Sequence, residues 1–328
     1  TIPNPDRPGG VLVPQLNPQK GAHMDFREIQ YVLAIEKYQT LSGAARFLDI
    51  TQPSLSKFLQ NLEKRLNVRL FYRIDNKMYL TYAGQQYVDT GLKILDLNHQ
   101  LHNTLADISS ESMGSLSIGV TPTRGRYVLP NVLPAFKRMY PKYKISIMED
   151  GTAALNQALE TGRIDLAVYT VTETFRPDLE YVKVCKEEIV LCLSPILEAA
   201  RLIEQRPEKK HPWLDINQLG NELFFLVDEK FRTRKIADRI LSSSSIRPQT
   251  ITLQSVETAL SIVASGIGVG FCTDMCEKFF YTSRPLLYCS VGERENLWDF
   301  VIAYRKDSYL QTAAQNFIDI TKETFATQ

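Results

Sequence analysis

The chain reads as α/β, with a helix-rich winged unit placed ahead of a longer run of alternating strands and helices. Three observations predict this. Between Phe26 and Leu66 apolar residues recur at helical spacing in three separate stretches. Two short apolar and aromatic runs then bracket Asp75-Asn76, the pattern of a tight hairpin. Beyond about residue 114 the pattern switches repeatedly between strand-like runs and helical stretches, as in a doubly wound α/β fold.

The first helix, Phe26 to Lys37, places Phe26, Ile29 and Leu33 on one side. A short second helix carries Ala44, Ala45 and Leu48, small enough for close packing, and Asp49-Ile50 makes the turn. In the third, successive residues turn by about 100°. Leu55, Leu59, Leu62 and Leu66 therefore share one side, while Pro53, Ser56, Lys57, Gln60 and Lys64 lie opposite. Thr51 suits the N-cap, Pro53 is tolerated in the first turn, and Asn67 suits a left-handed C-terminal cap. Strands at Leu70–Arg73 and Met78–Thr81 complete a winged helix-turn-helix, with Arg73 and Lys77 placed to reach a DNA backbone. The polar strip of the third helix offers hydroxyl, amide and ammonium groups to base edges and phosphates.

Charge agrees with a local rather than general affinity for nucleic acid. The net charge is only +1, yet the stretch from Arg27 to Lys77 holds nine Lys or Arg against five acids. That modest excess suits binding shared among several copies of the unit. At 328 residues the chain suits two or three compact units, and no run approaches the roughly 18 apolar residues needed to span a bilayer. Residues 1–23 carry five prolines and neither helical nor strand period, so they are expected to be a disordered leader or expression tag.

From Ala83 to about Ser109 good helix formers run without proline, and Ile94, Leu97, Leu101, Leu105 and Ile108 recur at spacings of three and four. A long helix with such a seam and no local partner pairs with another copy of itself. Beyond Gly114-Ser115, strands are expected at 116–120, 144–148, 165–169, 223–227, 250–253, 268–271 and 300–304. Helices are expected at 126–140 with a proline kink, 153–160, 233–241, 256–264 and 310–325.

The N-terminal unit resembles the DNA-binding domain of the LysR-type transcriptional regulators. The resemblance rests on Ala44-Ala45, Thr51-Gln52-Pro53-Ser54-Leu55-Ser56, Leu62-Glu63, Leu70-Phe71 with Arg73, and Leu80-Thr81 with Ala83-Gly84. Asn67 stands where the family usually has Gly, and Lys57 where Arg is common, which keeps the charge but loses bidentate geometry. The resemblance implies that the third helix is the recognition helix, with Gln52, Pro53, Ser54, Ser56, Lys57 and Gln60 facing the groove. It also implies a linker helix at 83–113 that joins two copies, so that the expected domains are 24–82, 83–113 and 114–328. The family's habit is a homotetramer, whereas the seam itself supports a homodimer reading a roughly palindromic site on double-stranded DNA.

Gly162-Arg-Ile-Asp165-Leu-Ala and Val263-Ala-Ser-Gly266-Ile-Gly268 extend the resemblance to the effector domain of that family, which has the two-lobed fold of type II periplasmic binding proteins. The segment Glu198 to Gln218, with Lys209-Lys210-His211-Pro212-Trp213, is longer and more charged than expected there. In such sheets ligands bind beyond the carboxyl ends of the strands. Those ends carry Thr121, Thr123, Arg124, Thr152, Tyr169 and Thr170 in one lobe. Phe231, Arg232, Thr233 and Ser255 come from the other. Hydroxyls and helix-start N–H groups favour a small anionic or polar effector, with Arg124 or Arg232 as counter-charge and an apolar body against Phe231 and Tyr169.

Rival readings remain open on the sequence alone. Five cysteines, Cys185, Cys192, Cys272, Cys276 and Cys289, show no paired zinc spacing and suit reduced thiols in a cytoplasmic protein, although a redox-sensing regulator is an alternative. A solute-binding protein or an enzyme on the same two-lobed fold is another. Gly266-Ile-Gly268-Val-Gly270 follows a helix and enters a strand, the reverse of the dinucleotide order, and the four histidines are scattered. No catalytic group, cofactor or metal is expected.

Overall fold

The computed structural model describes residues 25–108, 114–171, 175–229, 231–306 and 308–325. The expected leader at 1–23 lies outside them. The chain divides into two compact units, with the boundary between Leu95 and Asp96.

In the first unit, α1 (Phe26–Tyr38) starts at Asp25, whose carboxylate accepts from Arg27 N, and stops at Gln39 in a left-handed conformation. α2 (Leu41–Phe47) is capped by Thr40, and α3 (Gln52–Leu66) by Thr51 and Asn67, the latter at φ 53°. Leu55, Leu59 and Leu62 are buried against Val32, Ile35, Ala44 and Ala45. Two expected core positions are not buried: Phe26 is 44% exposed and Leu66 37%. The face of α1 that packs inward is instead that of Ile29, Val32 and Ile35.

Strands β1 (Phe71–Ile74) and β2 (Lys77–Leu80) pair antiparallel around Asp75-Asn76, both at positive φ as a two-residue hairpin of mirror-turn type requires. The hairpin is fixed to the helices at two points. Glu63 Oε1 accepts from Leu70 N at 2.7 Å and Phe71 N at 3.1 Å, and Met78 N donates to Gln39 O at 2.7 Å. α4 (Tyr82–Ile108) follows. A Cβ at Gly84 would run into the carbonyl of Leu70, so glycine is what lets this helix approach the strand. Val88 of α4 is buried in the same core.

The second unit is built on strands that change sheets. β3 (Ser115–Val120) is parallel to β4 (Lys144–Glu149) and β5 (Leu166–Val171), and antiparallel β11 (Leu297–Arg305) pairs with β5. β6 (Leu179–Leu193) runs 15 residues. Its first part pairs with β11, and its last five residues pair with β9 (Val269–Thr273), which continues through β7 (Phe224–Val227) to β8 (Thr250–Leu253). β10 (Leu287–Cys289) lies on the other side of β6. Two lobes result, joined by β6 and the chain returning through β11.

Helices α5 (Pro122–Met139), α6 (Thr152–Glu160) and α10 (Thr312–Phe325) belong to the first lobe, and α7 (Arg232–Ser243), α8 (Val256–Ala264) and α9 (Met275–Phe279) follow in the second. Residue 126 is not where α5 begins. It starts four residues earlier because Pro122 carries no N–H to leave unsatisfied, and it continues past Pro130 and Pro134. Aromatic residues Tyr127, Phe136, Phe300, Phe317 and Phe325 fill the first lobe's core.

The part of α4 beyond Leu95 packs with this second unit. Arg305 donates through both terminal nitrogens to the buried carboxylate of Asp96, at 2.5 and 2.7 Å. His99 Nε2 lies 3.5 Å from Asp165 Oδ1, and this contact raises the histidine pKa against its burial. Gly162, at φ +67°, sits directly under Asp96, where any side chain would displace the carboxylate. The segment expected as a linker helix is one unbroken helix, Tyr82–Ile108, and the boundary between the units falls within it.

Candidate functional site

On the first unit, the outer face of α3 stands clear of the core. Gln52, Pro53, Ser54, Lys57 and Gln60 are exposed and Ser56 is half-buried. The Ser54 hydroxyl lies 2.8 Å from Thr51 Oγ1, so it shares the helix cap as well as facing outward. Arg73 and Lys77 are exposed on the wing, with Arg73 Nη2 on the Asn76 side-chain oxygen. The polar strip of α3 and the wing thus leave their donor groups exposed over one packed core.

In the second unit a cavity of about 240 Å³ opens between the lobes. Eight of the ten residues singled out from the sequence line it: Thr121, Thr123, Arg124, Thr152, Thr170, Phe231, Arg232 and Thr233. Two do not. Tyr169 is 1% exposed in the core under α6, with its hydroxyl on Asn156 Oδ1 at 2.8 Å. Its neighbour Thr170 faces the cavity, because successive strand residues point to opposite faces. Ser255 caps α8, accepting from Thr258 N, and its hydroxyl is held by Glu257. The sequence reading missed Asp150, Thr273 and Trp298 in the lining, and Glu187 behind it.

The two arginines differ sharply. Arg124, 3% exposed, is bound through both terminal nitrogens to Glu187, and its guanidinium lies 4.4 Å from the centroid of the Phe300 ring. Glu187 also accepts from Trp298 Nε1 at 2.8 Å and Tyr127 Oη at 3.2 Å. Of the two arginines expected from the sequence as alternative counter-charges, Arg124 is thus already paired with a carboxylate of the protein. Arg232 has no carboxylate partner among the described residues. Burial pushes its pKa down, opposed by the nearby Tyr169 and Tyr181 hydroxyls. Three helices, α5, α6 and α7, begin at the cavity, and none has a side-chain cap on its first N–H groups. Unsatisfied N–H groups and the positive ends of three helix dipoles therefore converge where Arg232 is desolvated.

The thiols lie largely out of reach of solvent. Cys192, Cys272, Cys276 and Cys289 are buried and Cys185 half-buried. Burial pushes Cys185 and Cys289 up to about 12, and raises Cys272, which also has Cys192 and Cys276 beside it. Among the described residues no group of three or more His, Cys, Asp or Glu is arranged to hold a metal ion, and no helix is long and apolar enough to cross a membrane.

Two family profiles match the chain. One, described as bacterial regulatory helix-turn-helix protein, lysR family, matches residues 26–85, and the other, LysR substrate binding domain, residues 109–326. An uncharacterised HTH-type transcriptional regulator, YcgK of Bacillus subtilis, is 28% identical over 315 residues, covering 92% of this chain and 95% of the relative. The hydrogen peroxide-inducible genes activator of Haemophilus influenzae is 26% identical, covering 88% and 93%. Among solved structures, a full-length OxyR variant of Pseudomonas aeruginosa superposes with a TM-score of 0.66 at 22% identity, covering 92% of this chain and 95% of that one. Full-length CbnR in complex with its target DNA gives 0.63 at 18% identity, covering 92% and 100%. These likenesses agree with the fold built up from the sequence: a winged helix-turn-helix followed by a two-lobed substrate-binding domain. The chain belongs to the LysR family of transcriptional regulators.

Proposed function

We propose that the protein reads a two-fold DNA site as a dimer and is controlled by a small anionic metabolite bound between the lobes of its second unit. The observation that carries the effector class is Arg232, desolvated and without a carboxylate partner, at the meeting point of three uncapped helix starts. The Thr121, Thr123, Thr152, Thr170, Thr233 and Thr273 hydroxyls supply further donors, and Phe231 and Trp298 an apolar wall. Asp150 at the rim disfavours multiply charged anions, which points to a compact monoanion. As a regulator the protein acts by binding rather than by turning over substrate, within the cytoplasm where its DNA lies.

The effector reading is tested by melting the full chain with a panel of carboxylates, oxyanions and amines. A carboxylate or oxyanion is expected to raise Tm, and Arg232→Gln to abolish the rise. A panel in which amines alone raise Tm overturns the anion assignment.

The DNA-facing residues are Gln52, Pro53, Ser54, Ser56, Lys57 and Gln60 on the recognition helix, with Arg73 and Lys77 on the backbone. Gln52→Ala is expected to weaken the specific complex by about 1–3 kcal/mol per lost base contact. Lys77→Ala is expected to weaken all sequences alike and flatten the salt dependence. Gel shifts at several salt concentrations read both, and a change of sequence preference in Lys77→Ala overturns the wing assignment.

A further inference from the structure

On β6, Glu187 holds Arg124 of the cavity lining, and the next residue, Glu188, points to the opposite face of the strand. Glu188 is 1% exposed, and neither carboxylate oxygen has a hydrogen-bond partner. Three other buried atoms nearby also lack a hydrogen bond, His211 Nε2, Asp274 Oδ1 and Ser290 Oγ, and His211 Nε2 lies 3.5 Å from the other Asp274 oxygen, Oδ2. The four residues arrive from separate places, β6, the charged segment before Trp213, the end of β9, and the residue after β10. Asp274 N donates to Glu188 O at 2.9 Å, and Ser290 N to Pro212 O at 2.8 Å, so backbone bonds hold the group together.

The charges do not balance. Glu188 and Asp274 bring two negatives, and Lys210, 2.7 Å from Asp274 Oδ2, brings one positive. One more positive charge, which a proton bound within the group supplies, balances them. The unpartnered atoms are sealed from solvent. Buried ionised carboxylates without partners are strongly unfavourable and take up a proton instead.

We propose that Glu188, with His211, Asp274 and Ser290, forms a buried proton-binding site in the strands that join the lobes, and that the effector unit answers to proton concentration through it. A proton on Glu188 removes the buried charge and turns one orphan acceptor into a donor for its neighbours. Every element packed around it contributes a charged or polar group. His211 and Lys210 come from the segment before Trp213, Asp274 from β9, Glu277 from α9, Ser290 from beyond β10, and Glu295 from the turn into β11. Burial raises the Glu188 pKa, and Glu295 and Asp274 push the same way, while Ser290 and His211 oppose. The site also adjoins the cavity. Thr273 lines the cavity and Glu187 binds Arg124 of its lining, and Asp274 and Glu188 are the residues that follow them in the chain.

A carboxyl whose folded pKa lies above its unfolded value costs stability as pH rises from the unfolded value through the folded one. Glu188→Gln removes that cost. Melting of the full chain between about pH 5 and pH 8 is therefore expected to give a Tm difference, variant minus wild type, that grows as pH rises. A difference independent of pH, or one that grows as pH falls, overturns the proposal. Infrared spectra of the wild type provide a second readout that needs no folded Glu188 variant. A protonated-carboxyl C=O band, persisting where exposed carboxylates have ionised and shifted by Ser290→Ala, is expected, and its absence overturns the proposal.

Discussion

Glu187→Ala is expected to destabilise the effector unit by about 3–5 kcal/mol, because it leaves the Arg124 guanidinium buried without its counter-ion. The side chain of Glu187 is fully buried, and four donor groups, two from Arg124 and one each from Tyr127 and Trp298, converge on its two oxygens. Removing the carboxylate orphans all four at once. Chemical denaturation reads the loss. The double variant Arg124→Met/Glu187→Met is expected to recover part of it, since replacing both members of a buried pair with apolar residues avoids the stranded charge. The single variant should also gain more Tm from added inorganic phosphate than wild type does, because Arg124 then faces the cavity uncompensated. A single variant within about 1 kcal/mol of wild type would mean that the pair does not carry the site.

Leu101→Glu is expected to yield a folded monomer that has lost specific DNA binding. Leu97, Leu101 and Leu105 are 63%, 56% and 52% exposed, spaced by four along α4. Three leucines in one line on a long helix are the pattern of a surface that another helix covers. The side chain of Ile108, the last member expected of that seam, lies outside the described residues. Because these positions face outward in the single chain, a charge there should leave the monomer's melting little changed. Joining two DNA-reading units raises affinity by about 10²–10⁴-fold, and that factor is what the variant should lose in gel shifts. Sedimentation reads the oligomeric state, and a variant that remains dimeric would move the interface elsewhere.

The winged unit was legible because its rules are local. Thr51 and Asn67 bracket α3, the leucines between them keep helical period, and Asp75-Asn76 has the chemistry of a tight hairpin turn. β6 was not legible. Its first half, Leu179 to Lys186, mixes apolar and charged residues without strict alternation, and Glu187-Glu188 then places two acids side by side in what proves to be a buried strand. What makes them tolerable comes from distant residues, Arg124 for one and the His211 group for the other. The cavity was read largely from strand ends, and its omissions follow from strands misjudged: Trp298 lies on β11, which begins at Leu297 rather than Phe300, and Thr273 ends a β9 that runs two residues further than expected. Tyr169 illustrates a rule available in advance, since two adjacent strand residues do not both line one cavity.

The clamp of Arg305 on Asp96 has a mechanical side. The clamp ties the residue that opens the second unit to the last strand of its sheet, 209 residues further along the chain. An end held in this way does not fray, so the unit is expected to open as a whole rather than to peel from its first residue.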